Sequence, residues 1–411
     1  MKAEGALAGA APVPAEWPAE ASEPYASARV PVVTGARMRA LRLGIWSRLA
    51  VRALRLHGPR KAVAALRALA RVRDTAAGGL RPRKYVLAGG RAFFSLRAPG
   101  WPSQAFDRYA DMELGRADPS LPGPGLQTAF LAITRRCALA CAHCSEWDTL
   151  RRPDPLAVDD LVAIVERLRD AGAAQIQITG GEPLLRLDGV EAICRRARES
   201  CDLWVNTSGA PLTAEVAARL RAAGATGVIV SLDHFDAAEH DAFRGAAGTF
   251  GRAVAGVRHA SAASLAVGLS LTATRGFVTA ANLERYANLA RRLGVGFLQV
   301  LEPRAAGRWA GADVALTPAQ LALLEAFDRA MNQDLLDMPL VDTPGIAQRR
   351  DGCWGAGNRY LFVDAEGGAH ACPFCRGAVG SCLAEPLGAL RDRLRLRGCH
   401  AHPSAGDAAP R

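Results

Sequence analysis

The sequence predicts an α/β protein built on a parallel sheet that closes, fully or in part, into a barrel. Half of its 411 residues are hydrophobic, which is ample for a packed interior. After Gly125, six short β-branched runs, "FLAIT", "QIQIT", "LWVNT", "GVIVSLD", "AVGLSLTAT" and "GFLQVLE", recur with helical segments between them. Strands that alternate with helices pair in parallel through right-handed crossovers. In "LAVDDLVAIVERLRDAG", Leu161, Val162, Val165 and Leu168 form one apolar face and Gly172 stops the helix.

Residues 1–36 are rich in Ala and Pro and are expected to form a disordered tail. They lack the basic start and apolar core of a secretory signal. No run of eighteen uncharged apolar residues occurs, so no membrane span is expected. Ten cysteines without an export signal point to a reducing compartment, where thiols serve metals or catalysis. The expected location is cytoplasmic.

Residues 37–84 form a basic helical segment, broken at "HGP" (His57 to Pro59) into two helices. The net charge of +11 is local: Arg37 to Lys84 holds fourteen Lys or Arg against Asp74 alone, and the rest of the chain sums to −2. On a wheel of about 100° per residue, Met38, Ile45, Leu49 and Leu56 share a stripe, with Arg37, Arg48, Arg52 and Arg55 beside it. Leu43 and Leu54 fall on the far side. Helices packed on the main domain are the leading reading, and peripheral contact with an anionic membrane through residues 37–73 is the other. Residues 85–125 hold a hairpin, "KYVLAGGRAFFSL", turning at Gly89-Gly90, and a Pro-rich connection, "APGWPSQAFDRY". Residues 126–335 are the core domain and 345–402 a cysteine-rich extension.

"CALACAHC" follows the first strand of the core, at the strand end where parallel sheets collect chemistry. Cys137, Cys141 and Cys144 stand in one short loop. A structural zinc site wants four ligands, and only His143 is near. A cubane iron–sulfur cluster held by three cysteines keeps one iron open to a ligand. After the second strand comes "ITGGEP", whose Gly180-Gly181 permits close backbone approach and whose Glu182 can accept from a ligand amine or cap the next helix. "NTSG", with Asn206, ends the third strand, and "SLD", with Ser231 and Asp233, ends the fourth.

This succession resembles the radical S-adenosylmethionine (radical SAM) superfamily, firmly over residues 126–310. The resemblance implies a partial (β/α)6 barrel in which Cys137, Cys141 and Cys144 hold a [4Fe-4S] cluster. Gly180, Gly181, Glu182 and Pro183 would receive the methionine amino group of S-adenosylmethionine. Asn206, Ser231 and Asp233 lie where the family binds ribose and carboxylate, and His143 where it contacts adenine. The implied chemistry is reductive cleavage to a 5′-deoxyadenosyl radical that abstracts hydrogen from substrate, with electrons from a reductase and a flavodoxin or ferredoxin.

Farther on, "CWGAGNRYLFVDAEGGAHACPFCRGAVGSC" places Cys353, Gly367, Cys372, Cys375 and Cys382, with Cys399 following. Alone, this reads as a zinc ribbon or knuckle. Behind the core it resembles the opening of the SPASM and twitch extensions, with "YLFVDAEGGAHACP" as the ligand-bearing hairpin. The full SPASM pattern uses seven cysteines for two clusters; five are present here, so one auxiliary [4Fe-4S] cluster is expected. Its ligands are expected to be Cys353, Cys372, Cys375 and Cys382, with Cys399 as the alternative. Cys194 and Cys201 read as buried inert thiols. The functional expectation is a radical SAM enzyme acting on a peptide. A radical SAM dehydrogenase or modifier of a small or lipid-linked molecule is the alternative, and a basic zinc-containing nucleic-acid binder the distant one. No nucleic acid is expected as partner.

Overall fold

The computed structural model describes residues 30–76, 82–116 and 125–399. The chain begins with β1 (Val32–Val33) and a long helix, α1 (Gly35–Ala76), kinked where Gly58 adopts φ 67° before Pro59. The hairpin β2 (Tyr85–Ala88) and β3 (Arg91–Phe93) follows, then α2 (Gln104–Gly115). The core alternates β4 (Thr128–Ala132), α3 (Val158–Asp170), β5 (Gln175–Thr179), α4 (Leu187–Ala197), β6 (Asp202–Thr207), α5 (Ala214–Ala223) and β7 (Gly227–Ser231). It continues through α6 (Ala237–Arg244), α7 (Thr249–Ala262), β8 (Ala266–Thr272), α8 (Ala280–Leu293), β9 (Phe297–Leu301) and α9 (Pro318–Arg329). Last come β10 (Leu340–Asp342), α10 (Pro344–Asp351), β11 (Tyr360–Val363), β12 (Ala369–His370) and α11 (Leu387–Arg397).

The six expected strands are β4 to β9, all parallel neighbours in one nine-stranded sheet of order β10-β9-β8-β7-β6-β5-β4-β11-β12. β10 extends it in parallel beyond β9, and β11 pairs in parallel with β4 while turning back on β12. The cysteine-rich hairpin is therefore the sheet's own margin rather than a separate layer.

Residues alternate between the two faces of each strand. One face, with Leu131, Ile176, Ile178, Val205, Val228 and Val230, packs under the helices in the main core. The other holds Trp204, Ile229, Ala266, Phe297 and Leu340, and Val86, Phe93 and Leu96 of the β2–β3 hairpin and its continuation plug it. Phe93, Trp204 and Phe297 meet edge to face, with centroids 5.7–6.1 Å apart. The hairpin thus closes the end of the sheet where the strands begin, and the opposite end is left for chemistry.

Several expectations are corrected. Val30 and Val33 are buried and β1 pairs with β2, so residues 30–36 are ordered against the hairpin; residues 1–29 lie outside the described residues. The expected connection contains α2, whose N-terminus is capped by Ser103, the side chain accepting from Phe106 N at 3.0 Å. The inward face of α3 uses Ile164 where Val162 was expected. On α1 the stripe Met38, Ile45 and Leu49 is core, Arg48 pairs with Asp107 and Arg52 with Asp111 of α2, and Leu56 is exposed.

Candidate functional site

Alternation along the strands puts Asn206, Ser231, Ser270 and Gln299 on the plugged face but past the plug, toward the strands' C-terminal ends. Asn206 donates to Gln177 Oε1 at 3.2 Å and Ser270 to Gln299 Oε1 at 3.2 Å. The Asn206 Oδ1 is buried without a protein partner, the kind of orphan acceptor a ligand satisfies. This polar floor lies below the loop that carries Cys137, Cys141 and Cys144.

That loop is fixed from three sides. The GGE turn holds its approach: Gly181 N donates to Thr134 O and Glu182 N to Arg136 O, both at 2.8 Å. A Cβ on Gly180 would stand 2.5 Å from Thr134 O, and one on Gly181 2.3 Å from Arg136 O. The two glycines are thus required by the neighbouring strand connection itself, before any ligand is considered. The end of α6 holds the middle, through Ala140 N to Arg244 O at 3.2 Å and Ala142 N to Phe243 O at 2.9 Å. The segment after β9 straps the far end: Arg308 N donates to Cys144 O at 3.0 Å, and its guanidinium to Ala140 O and Cys141 O at 2.5 and 3.3 Å while lying over Trp147.

Glu182 is nearly fully buried and both its oxygens are engaged. Oε1 accepts from Thr207 Oγ1 at 2.7 Å and Leu184 N at 3.2 Å; Oε2 accepts from Ser208 N at 2.8 Å and Ser208 Oγ at 2.5 Å. It caps the short turn begun by Pro183 and ties the GGEP and NTSG loops together. Asp233 accepts from Thr272 N at 2.9 Å and forms an ion pair with Arg244. Burial alone would raise the Asp233 carboxyl, but Arg244, helped by His143, holds it below its ordinary value. Arg244 also reaches Cys141 Sγ at 3.7 Å. The His143 ring stacks on Phe243 at 4.9 Å and tilts against Trp309 at 6.0 Å; burial lowers its pKa to about 4, so the ring is neutral near pH 7. Ser231 ends β7 in a half-buried position.

Burial raises the Cys137 thiol and pushes Cys144 up to about 12. Thiols so placed lose their protons to a metal centre rather than to solvent. Among the described residues, no group of three or more His, Cys, Asp or Glu side chains is placed to hold a single metal ion. Three thiols on one loop, with no fourth cysteine there, suit a cluster whose thiolates sit on separate irons.

The second group of thiols is assembled by β11 and β12. Cys353 is pushed up to about 12 by burial and then by the adjoining Cys399 thiol, with Cys375 also near. Cys372 is raised by its contact with Cys375 and by burial, and Cys375 N donates to Cys372 Sγ at 3.2 Å. The Tyr360 hydroxyl, raised first by burial, is raised further by Cys372, Cys353, Cys399 and Cys375. Cys382 is elsewhere. It is wholly buried in the main core, and burial, Asp364, Arg167 and Glu385 set its pKa at about 12. The structure places Cys399, the alternative ligand, beside Cys353 and places Cys382, the preferred one, in the main core; His400 lies outside the described residues. Cys194 and Cys201 are buried, as expected.

Arg376, next to Cys375, donates to Ser145 O and Glu146 Oε1 at 2.5 Å, joining the two thiol-bearing segments. A cavity of about 1210 Å³ is lined by Cys353 and Trp354, by Asp328 and Asp342, and by Ile45 and Trp46 of α1, and by none of the first three cysteines. Sequence reasoning missed Arg244, Arg308 and Trp309. The last two follow a strand end, a position that draws attention by itself; Arg244 sits in a helix and carries no local signal.

Residues 131–290 match the family described as the Radical SAM superfamily. The mycofactocin maturase MftC of Mycobacterium ulcerans is 32% identical over 253 residues, which cover 59% of this chain and 67% of that protein. The corresponding protein of Mycobacterium tuberculosis is 31% identical over 59% of this chain and 63% of its own length. The AdoMet-dependent heme synthase of Nitratidesulfovibrio vulgaris is 33% identical over 43% of this chain and 48% of its length. The chain thus spans about half to two thirds of the curated relatives it matches. Among solved structures, Streptococcus suis SuiB bound to precursor peptide SuiA superposes with a TM-score of 0.54 at 12% identity, covering 88% of this chain and 83% of that one. The anSMEcpe structure with bound AdoMet gives 0.53 at 15% identity, covering 67% and 83%. Parallel sheet, three-cysteine loop, GGEP turn and these relatives agree, and the chain belongs to the radical SAM superfamily.

Proposed function

We propose that this radical SAM enzyme modifies a peptide, using the Cys137–Cys141–Cys144 loop for the [4Fe-4S] cluster that binds S-adenosylmethionine and a second [4Fe-4S] cluster held by Cys353, Cys372, Cys375 and Cys399. The observation that carries this reading is the pair of thiol groups flanking adjoining strands of one sheet, three in the loop that follows β4 and four gathered beside β11 and β12. When bound, the first cluster and its cofactor supply a carbon-centred radical that removes a hydrogen atom from substrate. The chain's own part is positioning: Glu182 fixes the two loops that face the cofactor, Asn206 offers a free acceptor, and neutral His143, stacked on Phe243, offers an edge to an adenine. The β2–β3 plug packs against the other end of the sheet.

Peptide as substrate class is supported by the maturase relatives and by the peptide-bound neighbour. Electrons are supplied by a flavodoxin or ferredoxin. Anaerobically reconstituted enzyme is to be incubated with a short peptide encoded beside it. The expected results are a mass change in the peptide and 5′-deoxyadenosine release that Cys141→Ala abolishes. Cys375→Ala is expected to keep the nucleoside release while stopping peptide modification. Nucleoside release by Cys141→Ala would overturn the cluster assignment, and an unmodified peptide beside active cofactor cleavage would overturn the substrate class.

A further inference from the structure

Eight large hydrophobic side chains are exposed among the described residues, and five of them, Leu43, Val51, Leu54, Leu56 and Val63, lie on α1. In its first half, Ala36, Ala40, Leu43, Ser47, Val51 and Leu54 are all exposed and share an arc of about 80° at 100° per residue. Leu43 is 70% and Leu54 49% exposed. The opposite arc, with Met38, Ile45 and Leu49, is core. The outward strip is bordered by exposed arginines, Arg39 on one side and Arg37 and Arg55 on the other, and no acid occurs between Arg37 and Arg73. Arg48 and Arg52 are spent on Asp107 and Asp111, whereas Arg37, Arg39, Arg60 and Arg67 enter no ion pair among the described residues.

We propose that the outer face of α1 docks flat on an anionic lipid surface. An uncharged strip of Leu, Val, Ala and Ser47, flanked by Arg39 on one side and by Arg37 and Arg55 on the other, suits the boundary of a bilayer, where the apolar side chains enter the headgroup region and guanidinium groups meet lipid phosphates. The strip runs along a convex helix for about 27 Å, with no groove and no Trp, Tyr or Met anchor such as protein interfaces favour. Arg37 and Arg39 enter no ion pair among the described residues, and an anionic lipid surface supplies their countercharge. No described helix is long and apolar enough to cross a membrane, so contact is peripheral. The inner face of the same helix, through Ile45 and Trp46, lines the large cavity. Docking therefore sets that cavity just beneath the lipid surface. The proposal does not depend on the substrate class above.

The test is co-sedimentation of the full chain with vesicles of phosphatidylcholine alone and with vesicles containing phosphatidylglycerol. Binding is expected to the second only and to fall as salt screens it over a Debye length of about 10 Å at 0.1 M. Leu43→Glu with Leu54→Glu is expected to weaken vesicle binding about tenfold or more, and Arg37→Glu with Arg39→Glu to do the same. Both pairs are exposed, so cofactor cleavage in solution stays unchanged. Absence of vesicle binding, or binding equal on neutral and anionic vesicles, overturns the proposal. A dimer dissolved by the Leu43/Leu54 pair, or peptide binding lost with it, in either case without vesicle binding, would assign the face to a second copy or to a peptide instead.

Discussion

Glu182 illustrates how far one side chain can be read from sequence. Its type and neighbours marked it as important, with a cap and a ligand contact both open; the structure engages both oxygens with four protein donors. Glu182→Gln turns an amide N–H₂ toward donors. The expected loss is about 1–3 kcal/mol, read as a lowered thermal midpoint of the apoprotein. The choice between Cys382 and Cys399 could not be read at all, because spacing carries no information about which thiol a core claims. Cys382 is wholly buried in the main hydrophobic core. Cys399→Ser is accordingly expected to lower iron from about eight to about four per chain, while Cys382→Ser leaves the iron count unchanged and lowers stability.

The six core strands were legible because β-branched runs between helical periods leave little else for the chain to do, and the β2–β3 hairpin because Gly89-Gly90 supplies two positive φ values, 55° and 78°. α2 was missed since Trp101 and Pro102 drew attention from the helix that Ser103 starts. The strap after β9 was legible only by its place after a strand end: "AAGRWA" has no periodicity, and its meaning lies in contacts with a loop more than 150 residues earlier. Gly307 adopts φ 57°, and a Cβ there would lie 2.2 Å from Cys144 O. Gly307→Ala is expected to displace the cysteine loop and cut iron bound at the first site, seen as loss of the electron paramagnetic resonance change on adding S-adenosylmethionine. Phe93→Ala, at the plug, is expected to cost about 3–5 kcal/mol without altering the iron count.

Charge is distributed across the fold in a way composition alone conceals. The net basic excess of the sequence falls in α1 and its continuation, while Asp328 and Asp342 stand among the arginines that line the large cavity. Burial, reinforced by Asp342, pushes Asp328 up to about 6 from its ordinary 3.8. Between those values the folded chain keeps a proton that the unfolded chain has released, so stability falls as pH rises from about 4 to about 6 and the cost is fully present above that. Asp328→Asn is expected to flatten this slope in denaturation measured across the window. The hydrogen bonding of β11 along β4 has a consequence of its own. The segments that carry the two thiol groups flank neighbouring strands of one ladder, so they share one frame and do not swing apart as domains on a hinge do. An electron exchanged between sites on that shared frame is expected to do so at a rate that does not change with solvent viscosity, which flash reduction in sucrose solutions would check.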